Sequence, residues 1–191
     1  MTSPETPAPT ARPDRDDRIP IFIDLDTVLI STRPGRRAPE VSLQPGVEDG
    51  LARLRQLATT LIVLVDPADP GPPPTPDAAT RLSVLRGALG RAAYDLHIVT
   101  CTHESGGCEC RKPGTGLIDE AVSLLGVSTR HGWHIGGDQE GVQAGRAAGV
   151  RTIRIGPVGE DHLSSVHRAD HDARDLLDAA NWIMLEALAL P

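Results

Sequence analysis

The stretch Ile21-Phe22-Ile23-Asp24-Leu25-Asp26 constrains this chain more than any other. Its apolar residues run together without alternation, which specifies a strand buried on both faces, as in a parallel sheet. The run stops on two carboxylates separated by one leucine. In extended backbone, residues i and i+2 point the same way, so Asp24 and Asp26 are expected to face one spot. Carboxylates at the end of a buried strand are costly to desolvate unless something uses them. In an open α/β sheet, the carboxyl end of a strand is where ligands bind. The alternative at this point is a helix N-cap followed by a solvated loop acid.

Downstream, short apolar runs alternate with segments of helical period. A helix is predicted over Val47 to Ala58, where Val47, Leu51, Leu54 and Leu57 recur at helical spacing behind Pro45-Gly46. Leu61 to Val65 reads as a second strand, and it runs into Asp66 and a proline-rich stretch that cannot join a sheet. A helix from Asp77 to Leu89 and a third strand from Leu96 to Thr100 follow. Gly114 to Leu125 is helical, with Leu117, Ala121 and Leu124 on one face. His134 to Gly136 ends a fourth strand, Gly141 to Ala148 is a short helix, and Arg151 to Ile155 is a fifth strand. The last helix spans Ala173 to Leu188, with Leu176, Ala180 and Ile183 inward. Leu29 to Gln44 reads as a long loop. Its Arg33, Arg36 and Arg37 are candidates for meeting an anionic substrate and equally for being solvated charges.

This alternation implies right-handed βαβ units. The expected fold is a Rossmann-like, doubly wound parallel α/β sheet of about five strands with helices on both faces and no large cap domain. Residues 1–18 are rich in Pro, Thr and Asp and read as a disordered tail, leaving 19–191 as a single domain.

The formal net charge is -7 and no Lys/Arg run tracks along the chain, so nucleic acid is not an expected partner. No apolar stretch approaches the roughly 18 residues of a membrane span, and the N-terminus has no apolar signal-type core. A soluble, cytoplasmic protein is expected. Three cysteines fall within ten positions. A clustered odd set in a cytosolic chain suggests a metal before it suggests disulfides.

Each chemical group follows an expected strand, so all gather at one rim of the sheet. Asp24 and Asp26 follow the first, Asp66 the second, the cysteine loop and Lys112 the third, and Asp138 the fourth. Three carboxylates and one lysine suit Mg²⁺ and a phosphoryl group held together, the lysine balancing the remaining negative charge. An aspartate can attack phosphorus, and a second carboxylic acid can protonate the leaving alkoxide and then activate water. In the cysteine loop, Cys101, His103, Cys108 and Cys110 supply three thiolates and one imidazole. That soft tetrahedral set suits Zn²⁺ and leaves no open position, so the zinc (residues 101–110) would be structural. It would pin the loop that aims Lys112.

Together these motifs resemble the haloacid dehalogenase-like phosphatases: Asp24-Leu25-Asp26 as the first motif, Lys112 as the third-motif lysine, Gly137-Asp138 as the fourth. The resemblance covers roughly residues 19–157. It implies Asp24 as nucleophile, Asp26 as general acid/base, and Mg²⁺ held by Asp24, the backbone carbonyl of Asp26, and Asp138. The string Cys108-Glu109-Cys110-Arg111-Lys112-Pro113-Gly114 narrows the likeness to the zinc-loop group of D-glycero-D-manno-heptose 1,7-bisphosphate 7-phosphatases and histidinol-phosphate phosphatases. In that group Arg111 would contact substrate phosphate or sugar oxygens. The implied function is hydrolysis of a small phosphorylated metabolite, a heptose-type sugar phosphate first. Histidinol phosphate or another small phosphomonoester is the alternative. A degenerate member that binds a phosphometabolite or a protein partner without turnover is the alternative outside catalysis.

The chain departs from the pattern at three places. Val65 and Asp66 stand where a hydroxyl residue and Asn usually hold phosphoryl oxygens, which puts Asp66 at the substrate position with the wrong charge. Gly141 or Val142 falls where a second fourth-motif acid is usual, with Glu140 a displaced substitute. Thr27 replaces a common glycine. His97 reads as a core histidine, and Trp133 and Trp182 as packing residues. His131, His134, His162, His167 and His171 show no ligand spacing beyond a weak i, i+4 pair at His167 and His171.

Overall fold

A computed structural model of the chain describes residues 18–35, 38–66, 76–101, 108–156 and 168–189. The expected tail at 1–17, Arg36, Arg37, most of the proline-rich stretch, His103, His162 and His167 lie outside the described residues.

The first strand, β1 (Ile19–Asp24), is central because it has nothing polar to show before its last residue: Ile21, Phe22 and Ile23 are all fully buried. It pairs in parallel with β4 (Thr59–Val65) on one side and β6 (Trp133–Gly136) on the other. The sheet extends outward to β5 (His97–Thr100) at one edge, and through β7 (Arg151–Ile155) to β8 (His171–Ala173) at the other. The order is β5-β4-β1-β6-β7-β8, with every pairing parallel. This is the expected doubly wound α/β architecture with one strand more than expected. Alternate residues of β1 feed separate cores. Ile21 and Ile23 pack with Leu51 and Leu54 of α1 (Val47–Leu54), Leu85 of α2 (Ala78–Leu89), and Leu176 and Ile183 of α5 (Leu176–Ala189). Phe22 packs on the opposite face with Ile62, Val99, and Leu117 and Ala121 of α3 (Gly116–Leu125).

The carboxyl ends of β1, β4, β5 and β6 therefore meet at one rim. Asp77 starts α2 by accepting the Thr80 amide at 2.7 Å, and Asp138 starts α4 (Gln139–Ala147) by accepting the Gly141 amide at 2.6 Å. In both cases a side-chain oxygen satisfies an amide that the helix cannot.

Several expectations need correcting. Leu29 to Gln44 is not a plain loop: β2 (Ile30–Arg33) and β3 (Glu40–Leu43) form an antiparallel hairpin, with Ile30 opposite Leu43. The intervening arginines and proline hide the pairing in the sequence, while buried Ile30 anchors it. The strand β8 was missed because His171-Asp172-Ala173 has no apolar run. Its approach to β7 is fixed instead by Asp170, whose carboxylate accepts the amide of Thr152 at 2.7 Å and its hydroxyl at 2.9 Å. As a result α5 begins at Leu176 rather than at Ala173. The first helix stops at Leu54, and Leu57 packs against the core from outside it. On α3 the inward face is Leu117, Ile118 and Ala121; Leu124 is 66 % exposed. His97 is exposed rather than in the core, because β5 is an edge strand. Trp133 is buried with the Arg151 guanidinium 3.9 Å over its ring, and Trp182 stacks on His171 at 4.0 Å, so both tryptophans do pack.

Candidate active site

The backbone leaves β1 through one irregular helical turn, Leu25–Leu29. Leu25 drops into the core. Asp26 stays extended (φ -76°, ψ 149°) and Thr27 turns the chain with φ 74°. A positive φ is strained for a β-branched residue, which is the physical content of threonine standing where glycine is common. The turn is tight on its outer side as well: a Cβ on Gly137 would lie 2.4 Å from the Thr27 Cβ.

Asp24 is 4 % exposed. Its Oδ2 accepts from the Lys112 Nζ at 2.8 Å, and the same ammonium donates to Asp138 Oδ2 at 3.0 Å. Groups from three strand ends thus meet at one cation. Burial pushes the Asp24 carboxyl up, but the charges and hydrogen bonds of His134 and Lys112 outweigh it, and the group sits below its ordinary value. Burial pulls Lys112 down, yet the two carboxylates more than compensate and hold it above its ordinary value. Asp26 takes a different partner. Its carboxylate pairs with the guanidinium of Arg81, carried on α2. Asp24 and Asp26 therefore engage separate cations, although i, i+2 spacing suggested that they face one spot.

The turn carrying Lys112 is closed by backbone contact. Gly116 donates to the Glu109 carbonyl at 2.8 Å, and a Cβ on Gly114 would stand 2.4 Å from that oxygen. The Lys112–Pro113 peptide is cis. Immediately before the turn, Cys101, Cys108 and Cys110 bring their sulfurs within 4.8 Å of one another, with Cys101 and Cys108 at 3.5 Å. Tetrahedral zinc with bonds of about 2.3 Å places sulfurs roughly 3.8 Å apart, so the spacing fits. Burial and its two thiol neighbours push the Cys110 thiol up to about 12. Three cysteines at this spacing could hold a metal ion.

A small cavity of about 10 Å³ beside Asp24 is lined also by Leu64, Asp66, Cys110, Lys112, Gly114, Leu117, Ile118, His134 and Ala144. Asp66 is half-buried at the end of β4, while Val65 is 1 % exposed and offers no hydroxyl. Arg111 is exposed on the turn beside Lys112. Asp138 serves both as helix cap and as Lys112 partner.

Two residues were missed from the sequence. His134, dismissed for want of ligand spacing, is 1 % exposed and its Nε2 lies 3.1 Å from Asp24 Oδ1. The available signal was a histidine in a buried strand followed by Gly136, Gly141 and Gly145. Arg81 is 7 % exposed and lies beside Leu82 and Leu85 on the buried face of α2. An unpaired cation on a core face needs an anion, and that was its signal.

The chain aligns with solved structures over most of its length. D,D-heptose 1,7-bisphosphate phosphatase from B. bronchiseptica, complexed with magnesium and phosphate, superposes with a TM-score of 0.65 at 21% identity, covering 88% of this chain and 99% of that one. The fold is that of the haloacid dehalogenase-like phosphatases. CbbY from Rhodobacter sphaeroides, in complex with phosphate, matches with a TM-score of 0.59 at 14% identity over 84% of this chain and 96% of that one. A haloacid dehalogenase-like family hydrolase from Streptococcus pneumoniae gives 0.59 at 13% over 86% and 98%. No family model matches the sequence.

The Lys112 bridge makes a pH-dependent prediction. The lowered Asp24 contributes stability above the ordinary carboxylate range, about pH 4, and loses it as pH falls through the folded value. The raised Lys112 contributes below about pH 10 and loses it at higher pH. Both contributions operate across the neutral range. Lys112→Met is expected to melt below wild type at neutral pH, with the gap narrowing below about pH 4 as Asp24 protonates. Thermal melts across this range check it; a gap that does not change with pH contradicts it.

Proposed function

We propose that the protein is a Mg²⁺-dependent phosphomonoester hydrolase that works through an aspartyl-phosphate at Asp24. The observation that carries this is the Lys112 ammonium held between Asp24 and Asp138 at the strand-end rim. A carboxylate below its ordinary value is ionised at neutral pH and available as a nucleophile. An Asp24 oxygen attacks phosphorus, the bond from phosphorus to the ester oxygen breaks, and Asp26 supplies the proton to the leaving alkoxide. Asp26 then takes a proton from water, whose oxygen attacks phosphorus and releases Asp24 and inorganic phosphate. To reach either proton, Asp26 must turn from Arg81.

Two carboxylates converging within reach of one ammonium are hard oxygen donors suited to a hard divalent cation. Mg²⁺ would be held by Asp24, Asp138 and the Asp26 carbonyl, and would neutralise charge on the phosphoryl oxygens. The three clustered thiols, with His103, would hold a structural Zn²⁺ that fixes the Lys112 turn. A cytoplasmic setting would keep those thiols reduced.

The substrate we favour is a sugar phosphate, supported by the B. bronchiseptica enzyme's name and by Arg111, exposed next to Lys112 and suited to meet substrate oxygens. Histidinol phosphate or another small phosphomonoester is the alternative. A specific observation favours a further reading, a binder without turnover: Asp66 lines the same small cavity as Asp24 and adds negative charge close to the proposed nucleophile. Buried Val65 leaves the phosphoryl oxygens without a hydroxyl donor.

Turnover on a panel of phosphorylated metabolites separates these readings. Wild type with Mg²⁺ is expected to hydrolyse at least one. Asp24→Asn should lose on the order of 10³-fold or more in kcat, and Asp138→Ala should lose both rate and Mg²⁺ dependence while remaining folded. Absence of turnover on every ester leaves the binder reading.

Elemental analysis of protein purified without added metal is expected to find one Zn²⁺ per chain. Cys108→Ser should lower both the zinc content and the melting temperature, because binding free energy at a structural zinc is folding free energy. Zinc content near zero in folded protein ends this part of the proposal.

A further inference from the structure

A buried histidine and a glycine that the proposed mechanism does not use meet at one place. His134 points from β6 toward the base of Asp24, with Nε2 3.1 Å from Oδ1. The oxygen it touches is not the one that Lys112 holds. A carboxylate oxygen only accepts, so Nε2 is the donor. The other ring nitrogen, Nδ1, is buried and has no hydrogen-bond partner among the described residues. The imidazole thus has one polar contact there, and it is to Asp24.

The ring fits only because the surrounding positions lack side chains. A Cβ on Gly136 would lie 3.0 Å from His134 Cε1 and 2.9 Å from Asp24 Oδ2. A Cβ on Gly145 would lie 2.9 Å from the His134 Cβ. Gly141 and Val142 are the two positions at which a second fourth-motif acid is usual. A Cβ on Gly141 would lie 3.1 Å from each of Asp138 Oδ1, Asp24 Oδ2 and His134 Cε1. Any side chain at 141 would press on the histidine and both carboxylates together.

We infer that His134 is a positioning residue for Asp24, and that Gly141 is its counterpart: the imidazole bonds the carboxylate from beneath, and the missing side chain at 141 is the space that arrangement requires. The inference rests on the reading of Asp24 as the nucleophile. With Oδ1 held by His134 and Oδ2 held by Lys112, the carboxylate has one rotamer, and its approach to phosphorus is fixed before substrate arrives. Losing this bond should therefore slow the chemical step more than it weakens substrate binding.

The test compares two variants. His134→Leu fills the niche without a donor, whereas His134→Gln keeps an N–H at similar reach. In the leucine variant kcat is expected to fall about 10- to 100-fold, the worth of a hydrogen bond to a charged group. KM should stay within about threefold, since the bond acts on the nucleophile and not on substrate. The glutamine variant should recover most of the lost rate. A packing role alone would lower the melting temperature of both variants and leave kcat of the folded protein unchanged. Gly141→Asp should disturb the site strongly in wild type and much less in His134→Ala, a coupling that independent positions would not show.

The imidazole ¹⁵N–¹H spectrum of unmutated, histidine-labelled protein needs neither turnover nor a folded variant. It is expected to show a proton on His134 Nε2. An Nε2 without a proton overturns the inference, as does wild-type kcat in His134→Leu. If wild type hydrolyses no phosphoester, the catalytic reading fails, and the spectrum still decides whether His134 holds Asp24.

Discussion

One ammonium group organises this rim. Lys112 lies between Asp24 and Asp138, and each of the three arrives from a different part of the sheet: the end of β1, the turn before α3, and the cap of α4. A carboxylate 4 % exposed is costly without a partner, and two carboxylates sharing one site repel. The lysine relieves both penalties. Losing the lysine leaves two carboxylates uncompensated, and Asp24 is buried where water cannot easily take its place. This makes the geometry before Lys112 matter, because the ammonium is only as well placed as its turn. The Glu109 carbonyl, packed against Gly114 and Gly116, closes that turn, and the three-cysteine cluster stands immediately before it.

The second constraint is space. The backbone must pass from a buried strand to a crowded rim within a few residues, and it does so with a positive φ at Thr27 against Gly137. On the other side of Asp24, glycines at 136, 141 and 145 make room for an imidazole in the core. Strain at one residue and missing side chains at four others surround a single carboxylate. Such costs persist where surrounding structure over-determines them, and they tend to collect at functional sites.

Much of this was legible in the sequence. The unbroken apolar run of β1 and its terminal carboxylates announced both the parallel sheet and the rim, because burial on two faces leaves little choice of residue. The capping role of Asp138 was not read from the sequence, and its helix begins at Gln139, not at Gly141 as expected. What stayed hidden was set by distant partners. The three residues of β8 have no pattern of their own and depend on Asp170 reaching Thr152. The hairpin of β2 and β3 is masked by its charged turn. His134 and Arg81 look like anomalies on apolar faces until the chain folds and sets Asp24 beside one and Asp26 beside the other. Polar residues in apolar stretches were the signal, and their partners lie far away in sequence.

The central claim is that Asp24 is a nucleophile and not merely a ligand or a structural anion. Rapid quenching of turnover with a substrate labelled in its phosphoryl group, followed by borohydride reduction and peptide mapping, tests it most directly. The account predicts a labile acyl-phosphate that maps to Asp24, with the modified peptide absent in Asp24→Asn. Turnover with the label on another residue, or with phosphate released and no covalent intermediate under conditions that trap one, would contradict it.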